Sequence, residues 1–266
     1  MNTLTYLANK NKHPRDDRIL FDEPTHVYTI DGDTGFTSVT TWNHSHFENF
    51  DSDKIIDNMM KSKKWKENKY YGMTKEEIKK SWDKNRDEAA EAGTKMHYDI
   101  ECYYNKCPNK NDSIEYQYFE KFLEDYPELN SRPYRTEWTV FHEDWRLAGS
   151  IDMIFENEDG TLQIYDWKRC KDIKKTNGWN TYAKTECIDH VPDTNYWHYC
   201  LQLNTYKAIL ESKYDKKITD MYLVCLHPDK KKYQRIEVVN MQDEIEVLME
   251  YKKELMKKNK EIEHHK

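Results

Sequence analysis

The sequence predicts an α+β (mixed α/β) chain, with helices and strands arranged around one mixed sheet. Three observations lead there. Apolar residues recur with helical spacing from about residue 51 to 126, then with strand-like runs from about 134 to 168. Beyond that come a helical pattern, two strand patterns and a closing helix. No glycine pattern of the dinucleotide-binding or triphosphate-binding kind occurs, which removes those doubly wound folds.

In chain order, THVYTI (25–30) and FTSVTT (36–41) flank IDGDTG and predict a β-hairpin with a glycine-containing turn. Asp51 to about Lys64 predicts a helix with Ile55, Ile56, Met59 and Met60 as its apolar stripe. Thr74-Lys75-Glu76-Glu77 is a capping box that opens a second helix, with Ile78 and Trp82 on one face. Gly93 is expected to interrupt it and Thr94 to cap a further helix carrying Met96, His97 and Ile100. Ser113 to Tyr126 predicts another amphipathic helix. YRTEWTVF, RLAGSIDMIF and TLQIYDWKR are three successive strand patterns, and Gly160 suits the left-handed position of the loop joining the last two. A polar loop is expected from Lys171 to about Asp193, then a helix from Asn195 to about Lys213. MYLVCLH and YQRIEVV read as strands, and Met241 onward as a long charged helix.

Composition narrows the classes. Only 37% of the 266 residues are hydrophobic and 34% are charged, a polarity that suggests disorder until the aromatics are counted. Eight Trp, 20 Tyr and 8 Phe supply the apolar surface that disordered chains lack. No apolar run is long enough to span a membrane, and MNTLTYLANKNKHPRDD lacks a signal-peptide core, so an intracellular protein is expected. The six cysteines form no CxxC pair and are expected to be reduced thiols, neither a disulfide framework nor a zinc site. The net charge of −7 argues against a polyanionic partner only when taken whole. Residues 112–166 hold 14 acids and 4 bases, so the rest of the chain sums to +3.

The chemistry concentrates in the strand pair. Asp152 and Asp166 are equidistant from Asp159, the middle of the hairpin loop. A regular antiparallel register therefore sets them opposite one another on one face, about 4.5–5.5 Å apart at Cβ. A bulge at Gly160 would shift that register by one. Lys168, two positions on, shares the face. Two buried like charges are costly, and a divalent cation such as Mg²⁺ removes the cost by taking hard oxygen ligands. The lysine can then orient or deprotonate a water, or stabilise charge on a phosphate. A cross-strand structural salt bridge is the competing reading of these three residues.

Gly149-Ser150-Ile151-Asp152 followed by Asp166-Trp167-Lys168 resembles the GxxD…(D/E)xK core of the PD-(D/E)xK nuclease superfamily. Gly93-Thr94-Lys95-Met96-His97 is similar to the GTxxH element, and Gln202-Leu203-Asn204-Thr205-Tyr206 to the QxxxY element, of its RecB-like branch. The order and spacing resemble lambda-type exonucleases, the CRISPR adaptation nucleases, and especially the mitochondrial genome maintenance exonuclease and its large-DNA-virus relatives. The resemblance covers roughly residues 93–239. It implies a restriction-endonuclease-like core over 93–266, with residues 1–92 as a hairpin and helical elaboration packed on it and shaping a DNA channel.

The resemblance further implies that Asp152, Asp166 and the Trp167 carbonyl ligate Mg²⁺, with Mn²⁺ substituting, and that Lys168 serves the attacking water. His97 becomes a further ligand or orients one; otherwise it is a polar residue on an amphipathic helix. Gln202 and Tyr206 brace the hairpin and approach the scissile phosphate, or form an ordinary buried polar pair. Glu137 lies near the metal, or is a surface glutamate beside Trp138. Ser150 occupies a variable place and is expected to do no chemistry. The cysteines do not reproduce the pattern of iron–sulfur relatives, so no cluster is expected, and no helicase motif is present. His264 and His265 are expected to be a frayed helix end.

The substrate implied is DNA, single-stranded or with a free end, cleaved to leave a 5′-phosphate. Residues 54–84 carry ten lysines against five acids, and residues 168–184 six basic residues against one acid. The second stretch leaves the catalytic strand directly. Arg169, Lys171, Lys174 and Lys175 there could contact phosphates while Trp179 or Tyr182 stacks on a base, with Thr94 a further contact. The tract 51–92 could wall or arch over the site. A structure-selective endonuclease of the same fold, and a non-catalytic nucleic-acid-binding module, are the alternatives. The Lys-, Asn- and Tyr-rich composition fits an AT-rich genome and, with the resemblance, a large DNA virus.

Overall fold

A computed structural model of the chain describes residues 4–107 and 111–264, with side chains to residue 262. Its centre is a six-stranded mixed sheet of β3 (Thr37–Ser38), β4 (Pro133–His142), β5 (Leu147–Glu156), β6 (Leu162–Lys168), β7 (Ile218–Cys225) and β8 (Gln234–Glu237). β4, β5 and β6 form the antiparallel meander that their consecutive patterns predict, and β7 and β8 add a second hairpin. β6 and β7 are parallel, so the chain must cross between them. That crossover contains α7 (Asn195–Lys213), where Tyr196, Cys200, Leu201, Leu203, Tyr206, Ile209 and Leu210 are all buried.

The sheet separates two apolar layers. Leu162 and Ile164 of β6 pack with α7 and with α8 (Gln242–His264), whereas the alternate residues Tyr165 and Trp167 pack on the other face. There α5 (Ile114–Asp125), capped by Ser113 and followed by the single-turn α6 (Pro127–Asn130), presents Tyr116, Phe119 and Phe122 at helical spacing. Phe119 and Phe122 meet the Trp167 ring edge-on at 5.7 and 5.4 Å. Burying a Trp of this size stabilises the fold by about 4–6 kcal/mol of transfer free energy, and it fixes the Trp167 backbone.

The N-terminal segment, which opens with the short α1 (Tyr6–Lys10), differs from expectation. β2 (Val27–Ile30) pairs with β1 (Ile19–Asp22) before it, and not with FTSVTT after it. Past the turn, Arg146 holds Asp33 and the Gly35 carbonyl, steering the chain out of the hairpin. Thr37 and Ser38 then join β5 in parallel, and Ser38 caps α2 (Val39–His44) by accepting from the Thr41 amide. The β-branched run reads as strand by composition, but its cap starts a helix.

Gly93 does not break its helix. The capping box of Thr74 and Glu77 opens α4 (Lys75–Tyr104), which runs unbroken for 30 residues. A mid-helix glycine costs about 1 kcal/mol against alanine, and Ala89, Ala90 and Ala92 keep the flanking propensity high. Thr94 is therefore an exposed helix-interior residue and not a cap. The early part of α4 packs against α3 (Ser52–Lys61), burying Ile56 and Ile78 and pairing Lys75 and Lys79 with Asp53 and Asp57. Trp82 meets Phe50 and Tyr70 at this end. Residues 83–91 are exposed on every side, a bare shaft between this arm and the core. Among the described residues no helix is long and apolar enough to cross a membrane. His265 and the His264 side chain lie outside the description.

Asn204 ties α7 to the start of α8. Its fully buried amide donates to the carbonyls of Cys200 and Val239 and accepts from the Met241 amide and Gln242. Asn204→Ala should cost on the order of 2–4 kcal/mol in denaturant unfolding, because several buried backbone groups lose their partner together; a change under about 1 kcal/mol contradicts that role.

Candidate active site

The β5–β6 register runs from Glu156↔Leu162 to Met153↔Tyr165, symmetric about Asp159, with Gly160 left-handed at φ +81°. One step further, Asp152 and Asp166 face each other, but the strands have begun to part. β4 covers one edge of β5, so β3 and β6 share the other, β3 at Leu147 and Ala148 and β6 from Met153. The edge of β5 between them is a fork. Asp152 fills part of it: its Oδ2 accepts from the Trp167 amide at 2.9 Å, in place of a ladder bond. Trp167 thus turns its ring to the far layer and its backbone to the fork.

Asp166 is buried, its side chain 4% exposed. Burial, and then the nearby Asp152, lift its carboxyl to about 6, against the pull of Lys168. Lys168 Nζ makes a 2.5 Å ion-pair contact with Asp166 Oδ2, yet the approach leaves that buried oxygen without an aligned hydrogen bond. Burial opposes the ammonium, but Asp166 and Asp152 outweigh it and raise the Lys168 pKa. The same ammonium lies 4.5 Å over the Tyr199 ring, a floor supplied by α7. Burial likewise raises Asp152, with Glu137 adding to the effect and His97 opposing it.

α4 brings His97 to the fork. Its Nε2 is 2.9 Å from the Trp167 carbonyl, and its Nδ1 lies 3.5 Å from Asp152 and 3.6 Å from Glu137. Burial disfavours the imidazolium, but Asp152 and Glu137 overcome it and lift His97 to about 9. In this state His97 is the cation among the acids, and it occupies the carbonyl that the resemblance assigned to a metal. His97, Glu137 and Asp152 each offer a donor atom, all within 4.8 Å of one another, the one such set among the described residues. Two carboxylates and an imidazole suit a divalent cation, and the buried carboxylate of Asp166, paired with Lys168, lies beside them. Asp166 is not part of the three-donor set.

α7 supports the fork from the other face. Tyr206 is buried and hydrogen-bonded to Gln202. Its ring lies so close to Gly149 that a Cβ there would sit 2.6 Å from Oη, so this close approach requires glycine. The expected DNA contacts are placed differently from one another. Arg169 is held by Glu115 at 2.6 Å in a mostly buried pair, and Lys171 pairs with Asp229 at the surface. Lys174, with Asn177 and Asn195, lines an open hollow of about 430 Å³. Lys175 lies over Tyr196, while Tyr182 is exposed and Trp179 is 87% exposed.

Glu101 escaped the sequence reading. It lies one turn after His97 on α4, and burial and then Glu137 raise its carboxyl to about 7. Its i, i+4 relation to His97 was the available signal. Tyr199 carried none, since its role depends on where Lys168 points.

The family described as PD-(D/E)XK nuclease superfamily matches residues 73–265. No curated protein matches the chain. Among solved structures, the crystal structure of SSO0001 aligns over 53% of this chain and 58% of that one, at 14% identity and a TM-score of 0.27. The chain thus spans little more than half of that protein, and the likeness is too slight to bear on function.

Asp166 gives a pH test. It titrates at about 6 when folded and near 3.9 when unfolded, so the folded state binds the proton more readily. Its contribution is therefore fully present below about pH 4 and lost as pH rises through 6. In EDTA, Asp166→Asn should flatten that decline, whatever the loss of the Lys168 pairing does to the Tm itself; an unaltered Tm-against-pH slope contradicts it.

Proposed function

The chain belongs to the PD-(D/E)XK nuclease superfamily, and from that premise we propose that it is a metal-dependent deoxyribonuclease of the RecB-like branch, degrading single-stranded DNA from a free end. The observation that carries this reading is the meeting of Asp152, Asp166 and Lys168 at the fork, with His97 and Glu137 delivered from two other elements. Nucleases of this superfamily use divalent metals, typically Mg²⁺. A cation held by His97, Glu137 and Asp152, with Asp166 beside them, would supply a nucleophilic water and offset charge developing on the phosphate.

The chain's own groups do the rest. To serve as a ligand His97 would have to give up its proton, so cation affinity would rise with pH through its titration. Lys168, its pKa raised, is an ammonium at neutral pH and acts as a donor to the water or a phosphate oxygen, not as a base. Tyr199 below it and the locked Trp167 backbone keep both groups in place before substrate arrives. A solvent-facing Trp179 contributes little to the core, which supports a role in stacking on an unpaired base, with Lys174 and Lys175 near the phosphates. The basic arm at 54–84 supports a second wall to the substrate path. A product with a 5′-phosphate and a role in replication, recombination or repair belong to the same reading.

Asp152→Ala and Lys168→Ala should each lower Mg²⁺-dependent cleavage by on the order of a thousandfold while leaving far-UV circular dichroism unaltered. Full activity in either variant refutes the assignment. End-labelled linear single strands should be degraded and circular ones spared; equal cutting of circles makes the enzyme an endonuclease instead.

Neutralising Lys171, Lys174 and Lys175 together should weaken binding to single-stranded DNA and reduce the slope of log K against log salt by about 1 to 2. An unchanged slope removes the loop from the substrate path.

A further inference from the structure

We propose that Ser150 is a positioning residue for Glu137, fixing that carboxylate toward a divalent cation bound with His97 and Asp152. The inference rests on the cation site of the preceding section. In the β4–β5 register Thr136 pairs with Met153 and Trp138 with Ile151, which leaves Glu137 standing opposite Asp152. Glu137 itself drops out of the ladder. Its φ is +42°, and of the seven non-glycine residues with positive φ among the described residues it is the one inside a strand. A glutamate held there is strained, and such a conformation persists where surrounding contacts over-determine it.

The contact that selects its side-chain pose is Ser150. Its Oγ donates to Glu137 Oε2 at 2.9 Å, while Oε1 lies 3.6 Å from His97 Nδ1. One carboxylate oxygen is thereby anchored and the other presented to the imidazole and to Asp152. The geometry follows from the strands: Ser150 pairs with Thr139 and lies two residues before Asp152, so Ser150, Asp152, Thr139 and Glu137 share one face. A free glutamate side chain explores many rotamers, and ordering one carries an entropic cost. The serine hydroxyl bears part of that ordering before any cation arrives. The residue at this variable place in the motif therefore acts through Glu137, without touching a reacting atom.

Mn²⁺ titration of the full-length protein without DNA, followed by calorimetry and by the paramagnetic resonance of free Mn²⁺, tests this. Ser150→Ala should weaken Mn²⁺ binding on the order of tenfold at an unaltered Tm, and Ser150→Thr should restore it. In a Glu137→Gln background, Ser150→Ala should add nothing, since its partner is gone. Wild-type affinity in Ser150→Ala, or the same tenfold loss repeated in the Glu137→Gln background, overturns the role of Ser150. Failure of the wild-type protein to bind Mn²⁺, or Mn²⁺ binding that Asp152→Asn leaves intact, overturns the cation site itself.

Discussion

The burial of two carboxylates at one point of the sheet is the constraint on which the rest of the structure depends. Asp152 and Asp166 face each other where a regular ladder would place apolar side chains, and each is driven up in pKa by loss of water. Left alone they would protonate or force the strands apart. The neighbours answer that cost: Lys168 presses against Asp166, the Trp167 amide donates to Asp152, and His97 carries positive charge between Asp152 and Glu137. Each of these is held by packing elsewhere. Tyr199 lies under the lysine, Phe119 and Phe122 grip Trp167, and the length of α4 sets the position of His97.

This arrangement makes the site polar on one side of Trp167 and dry on the other. The motif's middle residue contributes no side-chain chemistry, yet its amide and carbonyl serve Asp152 and His97. A tryptophan there converts buried apolar area into fixed backbone dipoles. The same economy applies at Gly149, where the missing side chain admits the Tyr206 ring.

Much of the fold and the centre of the site were legible in the sequence because they depend on local rules. The β5–β6 hairpin has a short loop, so symmetry about Asp159 gives the Asp152–Asp166 register, and period two places Lys168 on the same face. Helix caps at Thr74 and Ser113 open helices where they should. The failures came where competing local preferences were close. The FTSVTT run suits a strand by composition, but Ser38 caps a helix, and Arg146, remote in sequence, diverts the chain first. Gly93 suggests a stop, yet one glycine cannot outweigh the helix formers on either side. Glu137 stayed ambiguous because its role requires the register of β4, its broken ladder and the hydroxyl of Ser150 all at once.

The bare shaft of α4 also fixes a phase. Trp82 on the arm and His97 in the site lie on one uninterrupted helix, 15 residues apart, so about 22 Å of rise separates them. With no hinge between, the direction the arm faces is set by the residue count of the exposed segment. Each residue added or removed there would turn the arm by about 100° about the axis while shifting it only about 1.5 Å. Changes near seven residues, about two full turns, come closest to preserving its facing. A stretch with no side chain in the core thus sets, by its length alone, which way the arm is turned.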